Sequence, residues 1–483
     1  MSDLHGDRDG IQRTQCDAVR PPVAVRDGRC LSEGVADVDH APCRQDRRDR
    51  EEAQCEAGEH HDETWNTKFH EIRRGDSLEA LNRFSFLNGA AHLRADRASV
   101  DVRPGLVYHD DFLAYDFGIN HALREVRVKL ARDLIAAYGL IGDDGVEELR
   151  PQVPEEARIL RVHGPAYVAK VKELSANPRD SSPIHGLGTV DDPVFAGMYG
   201  ASALQVGATL RACEEIGSGR RTRVFNLGGG FHHALPDRAA GFCIFNDVAI
   251  GILALLEEHG LERILYVDID AHHGDGVQSI FYNDPRVLTI SLHEDGRHLF
   301  PGTGFTEKIG EREGKGFAVN VPLPPYTRDA SYRFAFEAIV PPLARSFRPD
   351  VIVSQLGADA HYLDPLSHLM LTTETYESVG RTLDALSREL CGGRWIAVGG
   401  GGYDVTAVPR VWTLLCSTML GTNLEDALPG DWLEECERLV GAVPPDKLLR
   451  DRHKPDEAAH IPRQVKRTVE ALQRTLFPMH GIV

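Results

Sequence analysis

The stretch ILYVDIDAHHGDG (264–276) decides how this chain is read. Ile264–Val267 is an apolar run that suits a buried strand, and the next nine residues carry three carboxylates and two imidazoles. Charged groups rarely crowd the end of a buried strand without a partner. In open α/β sheets, ligands bind just outside the carboxyl ends of the strands, so this is where a site belongs.

Outward from it, short apolar runs alternate with 12–20-residue helical patterns from Gly105 onward, the signature of βαβ units and a parallel sheet. Strands are expected at Arg223–Leu227, Ile264–Ile269, Val287–Leu292, Val351–Leu356 and Trp395–Val398. A helix over Asp247–His259 opens on an Asn-Asp cap and stops at Gly260; another, Thr373–Leu390, ends before Gly392-Gly393. Each strand runs into an unusual loop: GGGFHHA (228–234), the opening motif, HEDGRHLFPGTG (293–304), GADAHYLDP (357–365) and GGGGYD (399–404). Five such loops on one rim are hard to explain by folding alone. The glycine runs permit positive φ and close approach to a ligand. Neither opens a helix with G-x-G-x-x-G or ends in G-K-[ST], which argues against a nucleotide.

Composition narrows the function. Asp plus Glu exceed Lys plus Arg by 73 to 54, a net charge of −19 spread along the chain, which opposes an electrostatic grip on nucleic acid or an anionic membrane. There is no signal peptide, and the apolar stretch VAIGILALL (248–256) is half a membrane span, so the chain reads as soluble and cytoplasmic. The nine cysteines form no Cys-x-x-Cys pair; Cys16, Cys30, Cys43 and Cys55, spaced 14, 13 and 12 apart, match no zinc-finger pattern. Residues 1–100 are rich in Arg, Asp, Glu and His and show no sustained period beyond a helix pattern around Ser77–Leu93, so they read as a disordered extension. After Gly421 the pattern thins into Pro-broken helices, making 421–483 a helical tail.

Side chains alternate along a strand, so Asp268 and Asp270 share a side and His272 continues the line. Asp270, His272 and a third ligand from another strand end, best supplied by Asp359, would suit an open metal site with three protein ligands and a place for water. Two carboxylates and one imidazole suit zinc and ferrous iron alike. His232 and His233 could be further ligands, a stacked pair, or a general base with its neighbour. Asp268 and Asp275 are left over, and a His–Asp hydrogen bond orients an imidazole and raises its basicity.

Together, FHHALPDRAAGFCIFND, VDIDAHHGDG, ISLHEDGRHLFPGTG, QLGADAHYLDP and GGGGYD resemble the zinc-dependent histone deacetylase superfamily. With VYHDDFLAYDFGINH (107–121), HGLGTVDDPVFAGM (185–198) and the tail, the chain resembles its bacterial acetoin utilization branch over roughly 104–450. The resemblance implies an arginase/deacetylase fold, three layers around a central parallel eight-stranded sheet, with residues 104–420 as the catalytic domain. It implies Asp270, His272 and Asp359 as zinc ligands, His232 paired with Asp268, and His233 paired with Asp275. It further implies Tyr403 as donor to the substrate carbonyl, and Gly241, Phe242 and Phe300 as walls of an acyl-lysine tunnel. Asp191 falls on a rim aspartate that holds the substrate backbone.

A structural potassium ion is implied at the carbonyls of Asp268, Asp270, His272 and Leu292 with the side chains of Asp268 and Ser291, and a second near Phe281, Asp284, Val287 and Tyr332. Arg127 falls on an arginine lining the acetate pocket, although the family's usual prolines before it are missing. The activity implied is hydrolysis of Nε-acetyl-lysine in proteins, with acetyl-coenzyme A synthetase as a substrate and acetylpolyamines as the alternative. Two rivals are a binuclear manganese ureohydrolase, which needs a carboxylate where Gly274 stands and another where His361 stands, and a non-catalytic acetyl-lysine-binding regulator, which would be expected to have lost one of these site residues.

Overall fold

The computed structural model describes residues 103–452 and 456–483. The expectations for residues 1–100, including the helix around Ser77–Leu93 and the four early cysteines, lie outside the described residues.

Eight strands form one all-parallel sheet: β1 (Gly105–Val107), β2 (Glu147–Leu149), β3 (Arg223–Asn226), β4 (Ile264–Asp268), β5 (Val287–Glu294), β6 (Ala318–Leu323), β7 (Val351–Gln355) and β8 (Trp395–Val398). Their order across the sheet is β2-β1-β3-β8-β7-β4-β5-β6. Every residue of β3 through β8 is buried, as a sheet covered on both faces requires. Helices Met198–Gly217 and Asp247–Glu257 pack together in one layer; Val126–Ala137, Ala407–Leu420, Thr373–Cys391, Asp329–Phe347 and Ile461–Leu476 pack successively in the other. The result is the three-layer arginase/deacetylase arrangement.

The five expected strands are present, with ends shifted by at most two residues. The helix expected to run to His259 ends at Glu257, where Glu258 turns out and Gly260 takes φ +65°; its cap is as read, Asn246 accepting from the Ala249 amide. Thr373–Cys391 runs one residue past Leu390 and closes on left-handed Gly392. The local pattern had not marked β1, β2 or β6. The first two have three residues each, and β2 reads Glu-Glu-Leu; β6 carries Pro322, which an edge strand tolerates because no outer neighbour needs its amide.

The register positions the site. Asn226 pairs with Val398, Val398 with Gln355, and Gln355 with Asp268, so β3, β8, β7 and β4 end on one row. Four loops far apart in sequence therefore leave four adjacent strands at one level.

Candidate active site

The loop after β4 begins with Asp268, fully buried, whose carboxylate accepts from the Tyr266 hydroxyl (2.7 Å), His232 Nδ1 (2.8 Å) and the Asp270 amide (3.1 Å). Asp270 has one oxygen on the Gly401 amide (2.7 Å) and the other on the His272 amide (3.0 Å). Asp359, after β7, has Oδ1 on the Ala271 amide (2.7 Å), while Oδ2 lies 2.8 Å from His272 Nδ1. Backbone amides thus aim three donors at one point: ligand atoms of Asp270, His272 and Asp359 lie within 4.8 Å of one another, all buried. A four-coordinate ion with bonds of about 2.1 Å fits such a span. Burial, then the Asp270 charge, pushes the Asp359 carboxyl well above its ordinary range. Burial alone would lower His272, but the two carboxylates hold it well above its ordinary value, so the site demands positive charge there.

Asp247, at a helix start, organises the loop after β3. Its carboxylate accepts from the Gly230 and Phe231 amides (3.0 and 2.7 Å), and the neighbouring Asn246 side chain donates to the His232 and Ala234 carbonyls. Nothing in GFCIFND announced this lock beyond its helix-capping pattern. The loop presents both histidines: His233 Nδ1 lies 2.7 Å from Asp275 Oδ1, and the two Nε2 atoms are 2.9 Å apart. Burial works against protonation of both. In His232 the charges of Asp268 and Asp270 override it, raising the pKa to about 9; His233, buried and facing that cation, is lowered to about 4 despite Asp275. The two imidazoles are pushed in opposite directions, the separation that suits distinct acid–base roles.

The glycines after β8 allow close approach. A Cβ on Gly401 would sit 2.2 Å from Asp359 Oδ2 and 2.7 Å from Asp270 Oδ2; Gly400 takes φ +103°. The next residue, Tyr403, is held by its amide on Asp364 Oδ2 (2.7 Å), a partner the sequence did not suggest. Its ring stands 6.3 Å from that of His272 and edge-on to Phe242 at 5.5 Å. Burial, then the charges of Asp359 and Asp270, keeps the phenol far from ionising, so it is a donor.

Phe300 faces His233 at 5.1 Å and His272 at 6.4 Å; Gly241, whose Cβ would meet both Phe300 and His233, leaves the gap between them. Phe242 holds φ +69°. Exposed Asp191 has its carbonyl 3.2 Å from Nε2 of His121, whose ring abuts Phe242 at 4.5 Å. On the inner side Arg127 shares a cavity with His232, His233, Asp270 and Tyr403, donating to the Gly400 carbonyl (2.7 Å) beside buried Glu125 (3.5 Å). Glu125 was not singled out from the sequence, since REVR carries no pattern.

Among the described residues, the second metal of a binuclear ureohydrolase site lacks its ligands. A Cβ on Gly274 would already lie 2.4 Å from Asp268 Oδ2, and His361 turns its Nε2 onto Asp451 (2.8 Å). Among the described residues, Asp270, His272 and Asp359 are the one His/Cys/Asp/Glu group that could hold an ion.

The model of the histone deacetylase domain matches residues 121–419. The chain belongs to the histone deacetylase family. This deacetylase is 42% identical over 335 residues to the acetoin utilization protein AcuC of Bacillus subtilis (strain 168), covering 69% of the chain and 86% of that protein. It is 35% identical over 364 residues to AcuC of Staphylococcus xylosus, covering 74% and 93%. The crystal structure of an HDAC homolog from Aquifex aeolicus matches with a TM-score of 0.69 at 31% identity, over 77% of this chain and all of that one. A structure of an HDAC homolog complexed with SAHA matches equally. The enzyme is an amide hydrolase of a metal-dependent family, with an Asp/His/Asp group that could hold the metal. Among the described residues, no helix is long and apolar enough to cross a membrane.

Proposed function

We propose that this deacetylase hydrolyses the acetamide of Nε-acetyl-lysine in cytoplasmic proteins, releasing acetate, with zinc held by Asp270, His272 and Asp359. The carrying observation is the convergence of those three donors with His233 and the Tyr403 phenol, Phe300 lying against His233 and Phe242 against Tyr403. When bound, the ion supplies a Lewis acid that polarises an amide carbonyl and acidifies water. His233, its Nδ1 oriented by Asp275, would exchange the His232 contact at Nε2 (2.9 Å) for the attacking water, take its proton there and return it to the departing lysine amine; such transfers contribute about 10²–10⁴-fold. His232 stays protonated beside it and stabilises developing negative charge. Tyr403 donates to the carbonyl oxygen as it gains charge, worth about 3 kcal/mol.

The aromatic walls suit the butyl stem of lysine, and Asp191 at the mouth suits backbone amides flanking it. Acetyl-coenzyme A synthetase is the protein substrate of this reading, in keeping with the resemblance to the acetoin utilization branch. Potassium belongs to this reading at the carbonyls of Asp268, Asp270, His272 and Leu292 with the side chains of Asp268 and Ser291, and near Phe281, Asp284, Val287 and Tyr332.

The test is a panel of acetyl-lysine peptides and acetylpolyamines, assayed with and without a chelator. Peptides should be cleaved, activity should vanish on chelation and return with zinc, and Tyr403→Phe should lower kcat about 100-fold with little change in KM. Equal activity of Tyr403→Phe would refute its role, and preference for acetylpolyamines would replace the substrate.

A further inference from the structure

Beyond the family match, between helices Gly430–Val440 and Ile461–Leu476, the chain passes behind the site and inserts one buried carboxylate, Asp451. Its Oδ2 accepts from His361 Nε2 (2.8 Å) and the Thr373 amide (3.0 Å); its Oδ1 accepts from Arg410 Nη1 (2.7 Å). The Asp451 amide donates to Thr373 Oγ1 (2.9 Å), so the carboxylate is anchored at both ends. His361 and Arg410 are themselves almost fully buried. His361 Nδ1 accepts from the Leu363 amide (3.2 Å), which leaves the ring proton on Nε2, facing Asp451.

Each partner leads to a different part of the site. The His361 amide donates to the Ala358 carbonyl (3.2 Å) and its own carbonyl accepts from the Asp364 amide (2.8 Å), so His361 fixes the turn that carries Asp359 at one end and Asp364 at the other. Asp364 in turn holds the Tyr403 amide. Arg410 Nε donates to the Thr406 carbonyl (3.1 Å), three residues beyond Tyr403. We infer that Asp451 is a positioning residue which, through His361 and Arg410, fixes the Asp359 turn and the Tyr403 loop relative to each other. Without it, a buried imidazole N–H and a buried guanidinium lose their shared acceptor, and both loops must shift to find another.

This rests on Asp359 as a metal ligand and Tyr403 as the carbonyl donor, so the test reads metal binding apart from turnover. Full-length Asp451→Asn and Asp451→Ala would be compared with wild type for cooperative melting, for zinc affinity by competition with a chromogenic chelator, and for kcat and KM on an acetyl-lysine peptide. Glu457→Gln serves as control: Glu457 is another carboxylate of the tail, but its hydrogen bonds go to the Arg328 amide and the Ser331 hydroxyl instead of to His361 or Arg410. The expected result is zinc affinity about tenfold weaker or more and kcat at least about tenfold lower, with KM within about threefold, in folded Asp451 variants and not in Glu457→Gln. If the Asp451 variants do not fold, His361→Gln, which keeps a donor, should retain zinc affinity and His361→Ala should lose it. Wild-type zinc affinity and kcat in folded Asp451 variants, the same losses in Glu457→Gln, or no difference between the two His361 variants would overturn the inference. A wild type that binds zinc yet cleaves no acetyl-lysine peptide would instead overturn the proposed function, leaving the zinc comparison intact.

Discussion

His233 and its neighbour His232 are chemically identical side chains with opposite protonation, and the difference comes from what each faces. Burial, then the His232 charge, lowers His233 to about 4, so the acid limb of kcat/KM should lie below the ordinary imidazole value of about 6.5. Replacing His232 with Asn removes the adjacent cation, the largest influence after burial that holds His233 down. The limb should then move to higher pH, and an unmoved limb would show that His233 is not the base.

Asp192 behaves differently. It is buried behind the rim, Oδ1 has no hydrogen-bond partner, and burial, then the Asp191 charge, raises its pKa from 3.8 to about 8. Between those values the folded protein holds a proton that the unfolded chain has released, so stability falls as pH rises through that window. Asp192→Asn, neutral throughout, should raise Tm by roughly 3–6 °C at pH 8 and leave it unchanged at pH 4, as measured by melting curves.

At the scale of elements, the loops after β3, β4, β7 and β8 carry the chemistry, and the strands hold them in one row. The Gly399–Gly402 run exists for clearance: a methyl group on Gly401 would overlap the carboxylates of Asp359 and Asp270. Gly401→Ala should therefore cost about tenfold or more in zinc affinity while the protein still melts cooperatively, since the clash is with two ligand carboxylates and not with the core. Calorimetric zinc titration would check this, and unchanged affinity would mean that the carboxylates are not ligands. Long apolar strands were visible in the sequence because burial on both faces demands continuous apolar runs. Strands β1 and β2 were not, because three residues give no period, and β2, at the edge of the sheet, is not required to be apolar.

At the scale of the molecule, the centre of the sheet's carboxyl edge gathers Asp268, Asp270 and Asp359, all essentially buried. A cation there relieves their mutual repulsion in the native state only, so zinc should stabilise the fold by about 2.7 kcal/mol at a free concentration a hundred times Kd. Melting with and without zinc would measure it, and a Tm independent of zinc would contradict the site.

By itself the sequence determined the parallel sheet, five of its buried strands, the glycine-rich strand ends and the dense acid–imidazole motifs, because each is written in neighbouring residues whose period or crowding has one physical reading. It also ruled out a second metal at Gly274, since glycine has no ligand to give. What only the tertiary structure decided is which loops meet. The order β3-β8-β7-β4 brings residues 230–233, 268–272, 359 and 400–403 together, and no local pattern encodes strand order. The opposed pKa shifts of His232 and His233, the burial of Asp192 and Glu125, and the reach of Asp451 from the tail to the Asp359 turn depend on burial and on distances between residues far apart in the chain. Those quantities exist only once the chain has packed.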